Sequence, residues 1–300
     1  MDAVLEGLHA LKHAVRFGAV IAQIVTDDLE RALATADQVA PELKPLLETQ
    51  ARLVAPTRFR ELAAQPVPTH VLAYAERPAW TLGQAVPTAG HPAVLLDDPR
   101  NSKNLGAVIR VGAAAGASGV LVRGTADPFD RMAVRGAAGL QWALPCLGGP
   151  DMLADVDAAW TGTAVIGLDA DGVPFDPSAC RTPTVFVFGS ERTGLSDEVR
   201  ARCDAIVSLP MQPEVSSLNL ATAVSAVLYV GLYAQPVPPT SASVDDETSP
   251  ALADDDKAWK AEFRRRVDDI ESGRLQMVSH AETMRLARER IAQRRAESLA

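Results

Sequence analysis

VFVFGSERTGLSDEVR, residues 185–200, is the stretch that decides the fold. Apolar residues of strand-forming type run directly into Gly189, and a second glycine, Gly194, precedes a helix start at Ser196. A continuous apolar strand that leads into a helix is typical of a parallel sheet buried on both faces. Ligands bind such sheets at the carboxyl ends of the strands. The loop after Gly189 is therefore a candidate binding loop, although a plain strand-to-helix turn would use the same residues.

Similar strands recur through the central part of the chain. The pattern predicts strands at 93–97, 119–122, 164–169, 184–189 and 205–210, and helices from about 104, near 130–138 and over 218–233. Before them, a smaller alternating α/β unit is predicted over 1–75. It contains an amphipathic helix within 5–27, a strand at 21–26 and another at 52–56. The sequence therefore predicts an α/β protein with a parallel sheet covered by helices on both sides.

Composition limits the class of protein. The chain has 300 residues, of which 47% are hydrophobic and 22% charged, and this favours two globular domains with substantial cores. The three scattered cysteines suggest neither a disulfide framework nor a metal cluster. The sequence contains no apolar run long enough for a membrane span and no secretion signal, so a cytoplasmic location is expected.

The formal net charge of -9 argues against nucleic-acid binding through a general positive field. Residues 1–90, 91–236 and 237–300 each contain more acidic than basic residues. Any contact with nucleic acid therefore has to rely on local clusters of arginine.

NSKNLGAVIR, residues 101–110, is a second candidate loop. Asn104 is expected to open a helix, where asparagine serves either as a plain cap or as a functional group. Arg110 interrupts an otherwise apolar helix, which predicts a buried guanidinium. Such a group must be paired or must face a ligand, and a phosphate suits its planar fork.

LPMQPEVSSLNLATAVSAVLY, residues 209–229, is the third. Ser216, Ser217 and Asn219 place three hydrogen-bonding side chains before a strongly apolar helix, whereas a simple cap needs only one. Neither the glycine-rich fingerprint of a dinucleotide site nor a phosphate-binding P-loop is present in the sequence.

The three loops, taken in order, resemble the signature motifs of a known family. NLGAVIR, FGSERTGLS and LPM followed by SSLNLATA are similar to those of the SpoU (TrmH-type) branch of the SPOUT superfamily, the RNA ribose 2′-O-methyltransferases. The resemblance covers residues 91–236. LEGLHALKHAV near the start also resembles the opening of the small substrate-binding domain that many members carry.

The resemblance implies a parallel sheet whose C-terminal part is tied in a deep trefoil knot, an exception to the usual unknotted topology. S-adenosylmethionine would bind in the knot, with contacts at Gly189, Leu209, Met211 and Leu218. The family also implies a homodimer with its catalytic sites near the subunit interface.

The resemblance further makes Arg110 the catalytic arginine, assisted by Asn104, Glu191, Ser217 and Asn219. A guanidinium keeps its proton in proteins, so Arg110 is expected to bind phosphate and stabilise the developing alkoxide rather than act as a base. The donor already carries an activated methyl group, and no metal is needed. Arg135, in AVRGAAG, is a candidate RNA contact.

The expected organisation has five parts: an RNA-binding α/β domain at 1–80, a linker at 81–91, the methyltransferase domain at 92–236, a disordered acidic linker at 237–256 and a helical tail at 257–300. The tail faintly resembles the partner-binding tails of small bacterial antitoxins, but a solvated helical pair is the favoured interpretation. A protein partner for the tail is thus one hypothesis.

The leading functional hypothesis is S-adenosylmethionine-dependent methylation of a ribose 2′-hydroxyl in rRNA or tRNA. The alternatives are a knotted RNA-binding protein without catalysis and a nucleotide-binding α/β enzyme of another kind.

Overall fold

A computed structural model describes residues 2–212, 214–215 and 217–233. The predicted acidic linker at 237–256, the helical tail at 257–300 and Ser216 lie outside the described residues. In the part of the chain that is described, no helix combines the length and the apolar character needed to cross a membrane.

The first sheet has four strands in the order β1-β4-β2-β3. Strands β2 and β3 are parallel, whereas β4 is antiparallel to both of its neighbours. The strands are β1 (Ala3–Glu6), β2 (Ile21–Thr26), β3 (Ala51–Leu53) and β4 (Leu72–Ala75), and the helices are α1 (Leu8–Arg16), α2 (Leu29–Val39), α3 (Lys44–Gln50) and α4 (Pro56–Leu62).

Two strands of this sheet were not predicted. The amphipathic pattern from residue 5 suggested helix, but β1 occupies the start of that pattern and α1 begins only after Gly7. Gly7 has a φ of 91°, a conformation that glycine adopts readily and that separates strand from helix. Strand β4 pairs with both β1 and β2, so its position depends on contacts that are distant in sequence.

The second sheet has six parallel strands in the order β10-β8-β9-β5-β6-β7. The apolar runs predict a parallel sheet and all of these strands except β7. Its strands are β5 (Ala93–Asp97), β6 (Gly119–Arg123), β7 (Cys146–Gly149), β8 (Ala164–Pro174), β9 (Thr184–Phe188) and β10 (Ala205–Ser208). Its helices are α5 (Ser102–Ala115), α6 (Arg131–Gly136), α7 (Met152–Ala159), α8 (Asp197–Arg202) and α9 (Leu220–Tyr233). Every residue of β5 and β9 is buried, which explains their continuous apolar sequences.

Helices α5 and α6 pack closely because of Gly106. A β-carbon at this position would lie 2.3 Å from the carbonyl oxygen of Ala133 and 2.9 Å from the nitrogen of Ala137. The glycine of NLGAVIR therefore has a packing role, and it sets the position of the first turn of α5.

The segment predicted as a linker packs against the second sheet. Leu82–Gln84 forms a 3₁₀ turn, and Ala85 is fully buried. The Trp160 indole nitrogen donates to the carbonyl of Leu82 at 3.2 Å, and the Ser118 hydroxyl donates to that of Ala85 at 2.9 Å. The connection between the sheets is thus fixed to the second one.

The two sheets meet at a junction centred on Glu6, whose side chain is 1% exposed. Its Oε1 accepts hydrogen bonds from the Ala64 amide at 2.8 Å and from Arg131 at 2.6 Å, and its Oε2 accepts one from Arg135 at 3.0 Å. One hydrophobic cluster contains core residues of both sheets. The junction is therefore both apolar and ionic.

Candidate functional site

A cleft of about 720 Å³ opens at the carboxyl edge of the second sheet. It is formed by the ends of β8, β9 and β10 and by the first turns of α5 and α9. Eight of the ten predicted site residues line it: Asn104, Gly189, Glu191, Leu209, Met211, Ser217, Leu218 and Asn219. The three loops chosen from the sequence therefore converge on one cavity.

A chain of hydrogen bonds joins the three loops. The Asn104 amide nitrogen donates to Glu191 Oε1 at 2.7 Å, and the Asn219 amide nitrogen donates to Asn104 Oδ1 at 3.3 Å. Asn219 Oδ1 in turn accepts from the Ala221 amide at 3.0 Å, within the first turn of α9. The amide of Asn104 is thus held in one orientation by an acceptor on one side and a donor on the other.

Asn104 does not cap a helix, contrary to the simpler interpretation of its position. Helix α5 starts earlier, at Ser102, and its cap is Asn101, whose side chain accepts from the Lys103 amide at 3.0 Å. With the capping role filled by another asparagine, the side chain of Asn104 is available for the cleft.

Gly189 is required by the loop itself. A β-carbon there would lie 2.0 Å from the carbonyl carbon of Gly194 and 2.3 Å from the nitrogen of Leu195. Ser190 and Gly194 exchange two backbone hydrogen bonds, at 3.0 and 3.1 Å, that close the loop on itself. Glycine at this position therefore makes room for the loop's own backbone, because the atoms nearest to a β-carbon there belong to Gly194 and Leu195.

Glu191 keeps a carboxylate in the cleft. Burial raises the pKa of Glu191, but hydrogen bonds from Asn104 and from backbone amides, including that of Arg100, outweigh it and leave the pKa below the ordinary value of 4.5. The group is therefore ionised at neutral pH, and it becomes protonated only as the pH falls through this lowered pKa.

Replacing Asn104 by alanine is expected to raise the pKa of Glu191, because a donor to the ionised form is lost while the effect of burial remains. The titration of the Glu191 side-chain carboxyl carbon, followed by NMR in both proteins, measures the shift. Asp176 provides an internal control, since its lowered pKa depends on Ser178 and not on the cleft. An unchanged Glu191 midpoint would show that Asn104 does not stabilise the carboxylate.

Sequence reasoning missed the contribution of Asp169 to the lining of the cleft. Asp169 and Ala170 line it from an irregular part of β8, where the pairing with β10 shifts register. Arg200 forms ion pairs with Asp169 and, at 3.1 Å, with Asp171. The alternating aspartates of DADG, residues 169–172, at the end of an apolar strand were the available signal, but the predicted strand ended at residue 169.

Arg110 lies outside the cleft lining and is exposed, so the prediction of a buried guanidinium is wrong. It is six residues beyond Asn104, about 9 Å along α5 and about 120° around it. Burial is the main cause of the lowered pKa of His9 in α1, and the charge of the nearby Arg110 adds to it.

Arg135 is engaged at the junction between the sheets, where it binds Glu6 and is 36% exposed. The sequence offered no indication of this pairing, because Glu6 precedes Arg135 by 129 residues. Contact of Arg135 with RNA stays a prediction, and its guanidinium is already shared with a buried carboxylate.

Comparison with known proteins places this geometry in a family. Residues 91–229 match the model of the SpoU rRNA Methylase family. A 23S rRNA (uridine(2479)-2′-O)-methyltransferase of Streptomyces viridochromogenes is 33% identical over 240 residues, which are 76% of this chain and 81% of that protein. An uncharacterised tRNA/rRNA methyltransferase of Mycobacterium ulcerans is 32% identical over 231 residues, 76% of this chain and 72% of that protein.

Solved structures agree with these relatives. The SpoU methyltransferase AviRb of Streptomyces viridochromogenes, crystallised with the cofactor AdoMet, superposes with a TM-score of 0.65 at 30% identity and covers 77% of this chain and 89% of its own. An AdoMet-bound rRNA methyltransferase of Sinorhizobium meliloti gives 0.62 at 27% identity, covering 77% and 86%. By its sequence, its parallel sheet and its three converging loops, the chain belongs to the SpoU rRNA methylase family.

Proposed function

We propose that this protein transfers a methyl group from S-adenosylmethionine to a ribose 2′-hydroxyl of rRNA or tRNA. The observation that carries the proposal is the convergence of three separate loops on one cleft, joined by the hydrogen bonds of Asn104 with Glu191 and Asn219. Family membership and the 2′-O-methyltransferase named among the relatives support it.

The residues of the cleft fit the cofactor. Its volume lies within the range of about 300 to 1,000 Å³ that small-molecule sites occupy. Leu209, Met211 and Leu218 offer apolar surface for an adenine ring, and the carboxylate of Glu191 suits a positively charged sulfonium. When bound, the cofactor supplies a methyl group that is already activated for transfer.

The chain's own contribution is to place and orient the nucleotide. Asn104, Glu191, Ser217 and Asn219 lie together in the cleft, and correct placement of two reactants supplies roughly 7 to 11 kcal/mol of the barrier reduction. Arg110 is assigned to binding phosphate and stabilising negative charge on the 2′-oxygen, since its guanidinium does not give up a proton.

We further propose that the C-terminal part of the second sheet is knotted and that the protein forms a homodimer. The order β10-β8-β9 places the last strand beyond its two predecessors, an arrangement that suits the trefoil knot of the SPOUT superfamily. In a homodimer with its sites near the subunit interface, Arg110, which is outside the lining of its own cleft, would act at the cleft of the other subunit. The domain boundaries at 80, 91 and 236, the cytoplasmic location and a partner for the tail stay predictions.

Calorimetry with S-adenosylhomocysteine and transfer of labelled methyl groups to ribosomal and transfer RNA test the function together. We expect one molecule of S-adenosylhomocysteine to bind per chain. We also expect the labelled methyl group to be recovered in 2′-O-methylated nucleotides after nuclease digestion of the RNA. Absence of binding would contradict the cofactor assignment. Binding without any transfer to either RNA would instead favour an RNA-binding protein without catalysis.

A further inference from the structure

A second cleft, of about 370 Å³, opens at the carboxyl ends of β6 and β7. It lies on the same edge of the sheet as the first cleft, and only β5 separates β6 from β9, a distance of about 10 Å. Its walls come from the loop after β6, the end of β7 and the connection after β4, and they include Arg77, Thr125, Asp127, Phe129, Gly148 and Gly149. None of these residues has a role in the site described above.

The walls of this second cleft are held in place. The Trp142 indole donates to the carbonyl of Glu76 at 3.2 Å, and the Trp80 indole donates to that of Gln141 at 3.0 Å, so the connection is fixed on both sides of Arg77. Gln141, which is fully buried, also donates from its side chain to the carbonyl of Pro128 at 3.1 Å on the opposite wall. The cleft is therefore preformed.

Arg77 has an unmet hydrogen-bonding capacity. Its guanidinium carbon lies 5.3 Å from the centre of the Phe129 ring, and one terminal nitrogen lies 2.9 Å from Asp127 Oδ2. Its Nε is buried and has no hydrogen-bond partner among the described residues. Buried donors are normally satisfied, so the described residues do not use the full hydrogen-bonding capacity of this guanidinium.

The charges favour a base over a phosphate. Asp127 offsets the charge of Arg77, and its carboxylate, 44% exposed beside the cleft, would repel an anion. A guanidinium plane supported by an aromatic ring is instead a surface on which a splayed nucleobase stacks. We propose that the second cleft binds an unpaired nucleobase of the RNA, next to the nucleotide methylated at the first cleft. This inference rests on the proposed function.

Titration of the unaltered, ¹⁵N-labelled chain tests the site directly. With the first cleft saturated by S-adenosylhomocysteine, the four nucleoside 5′-monophosphates are expected to shift the amide signals of Thr125, Gly148 and Gly149, whereas ribose 5-phosphate and inorganic phosphate are not. Equal shifts with ribose 5-phosphate would overturn the proposal in favour of an anion site. Absence of shifts with all four nucleotides would also overturn it.

Kinetics of two variants provide a second test. Arg77→Ala is expected to raise KM for ribosomal RNA about tenfold with little change in kcat, because one stacked base is lost. Arg77→Lys should behave alike, since an ammonium group keeps the charge but not the planar surface. Recovery of the KM by lysine, or an unchanged KM in both variants, would overturn the proposal.

Binding of S-adenosylhomocysteine by each variant separates this inference from the proposed function. Wild-type affinity for that ligand in both variants would show that the fold and the first cleft are intact. A wild-type protein that fails to bind it would contradict the proposed function, whereas normal transfer activity with an unchanged KM would contradict the second cleft alone.

Discussion

Replacing Arg110 by alanine is expected to lower kcat for methyl transfer by roughly 100- to 1,000-fold, the cost of losing a donor that stabilises a developing oxyanion. Affinity for S-adenosylhomocysteine should change by no more than about twofold, because Arg110 lies outside the cleft lining. Single-turnover transfer of labelled methyl groups at saturating RNA measures the effect on the chemical step.

Arg181→Ala is the matched control for this variant. Arg181 is also exposed, but it precedes β9 and so lies at the opposite edge of the sheet. The Arg181→Ala substitution removes the same charge as Arg110→Ala and should leave kcat near the wild-type value. Equal activity of the two variants would remove Arg110 from the mechanism and leave orientation by Asn104 and its partners as the chain's main contribution.

Replacing Glu6 by alanine is expected to lower the free energy of unfolding by about 2 to 3 kcal/mol. Breaking a fully buried ion pair costs about 3 to 5 kcal/mol. The smaller value is expected here because Arg131 and Arg135 are 34% and 36% exposed and regain some hydration. Urea unfolding followed by tryptophan fluorescence measures the change.

Glu42→Ala provides the comparison, because Glu42 also faces two cations, Lys12 and Arg16. Its side chain is 44% exposed and its charge is screened by solvent, so its removal should destabilise the protein much less than removal of Glu6. If the two variants unfold at the same urea concentration, with the same slope, the Glu6 junction contributes no more than an exposed ion pair.

Local patterns were sufficient for the strands buried on both faces. The predicted strand at 93–97 is β5 itself, and the prediction at 184–189 exceeds β9 by one residue. Strand β7 was missed because two of its four residues are glycine and carry no strand preference. Strand β8 extends five residues beyond its prediction because its last part pairs with β10 after a change of register.

The candidate site could be predicted where its residues occur in motifs and not where they depend on distant partners. Asn104, Glu191 and Asn219 stood out because polar side chains followed apolar strands or opened apolar helices. The pairing of Arg135 with Glu6 and that of Asp169 with Arg200 had no such sign, since each joins segments that only the folded chain brings together. The predicted burial of Arg110 was wrong because apolar neighbours in a sequence do not establish which face of a helix is covered.

The shared core and the Glu6 junction bear on any attempt to redirect this enzyme by exchanging its first sheet for that of a relative. A transplanted module would have to supply a carboxylate opposite Arg131 and Arg135. It would also need a backbone that tolerates close contact, because a β-carbon on Gly139 would lie 2.3 Å from the carbonyl oxygen of Ala10. Hybrids joined in the segment after β4 would take the two sides of this junction from different proteins and lose the fit. Hybrids that take both sides of the junction from one protein would preserve it.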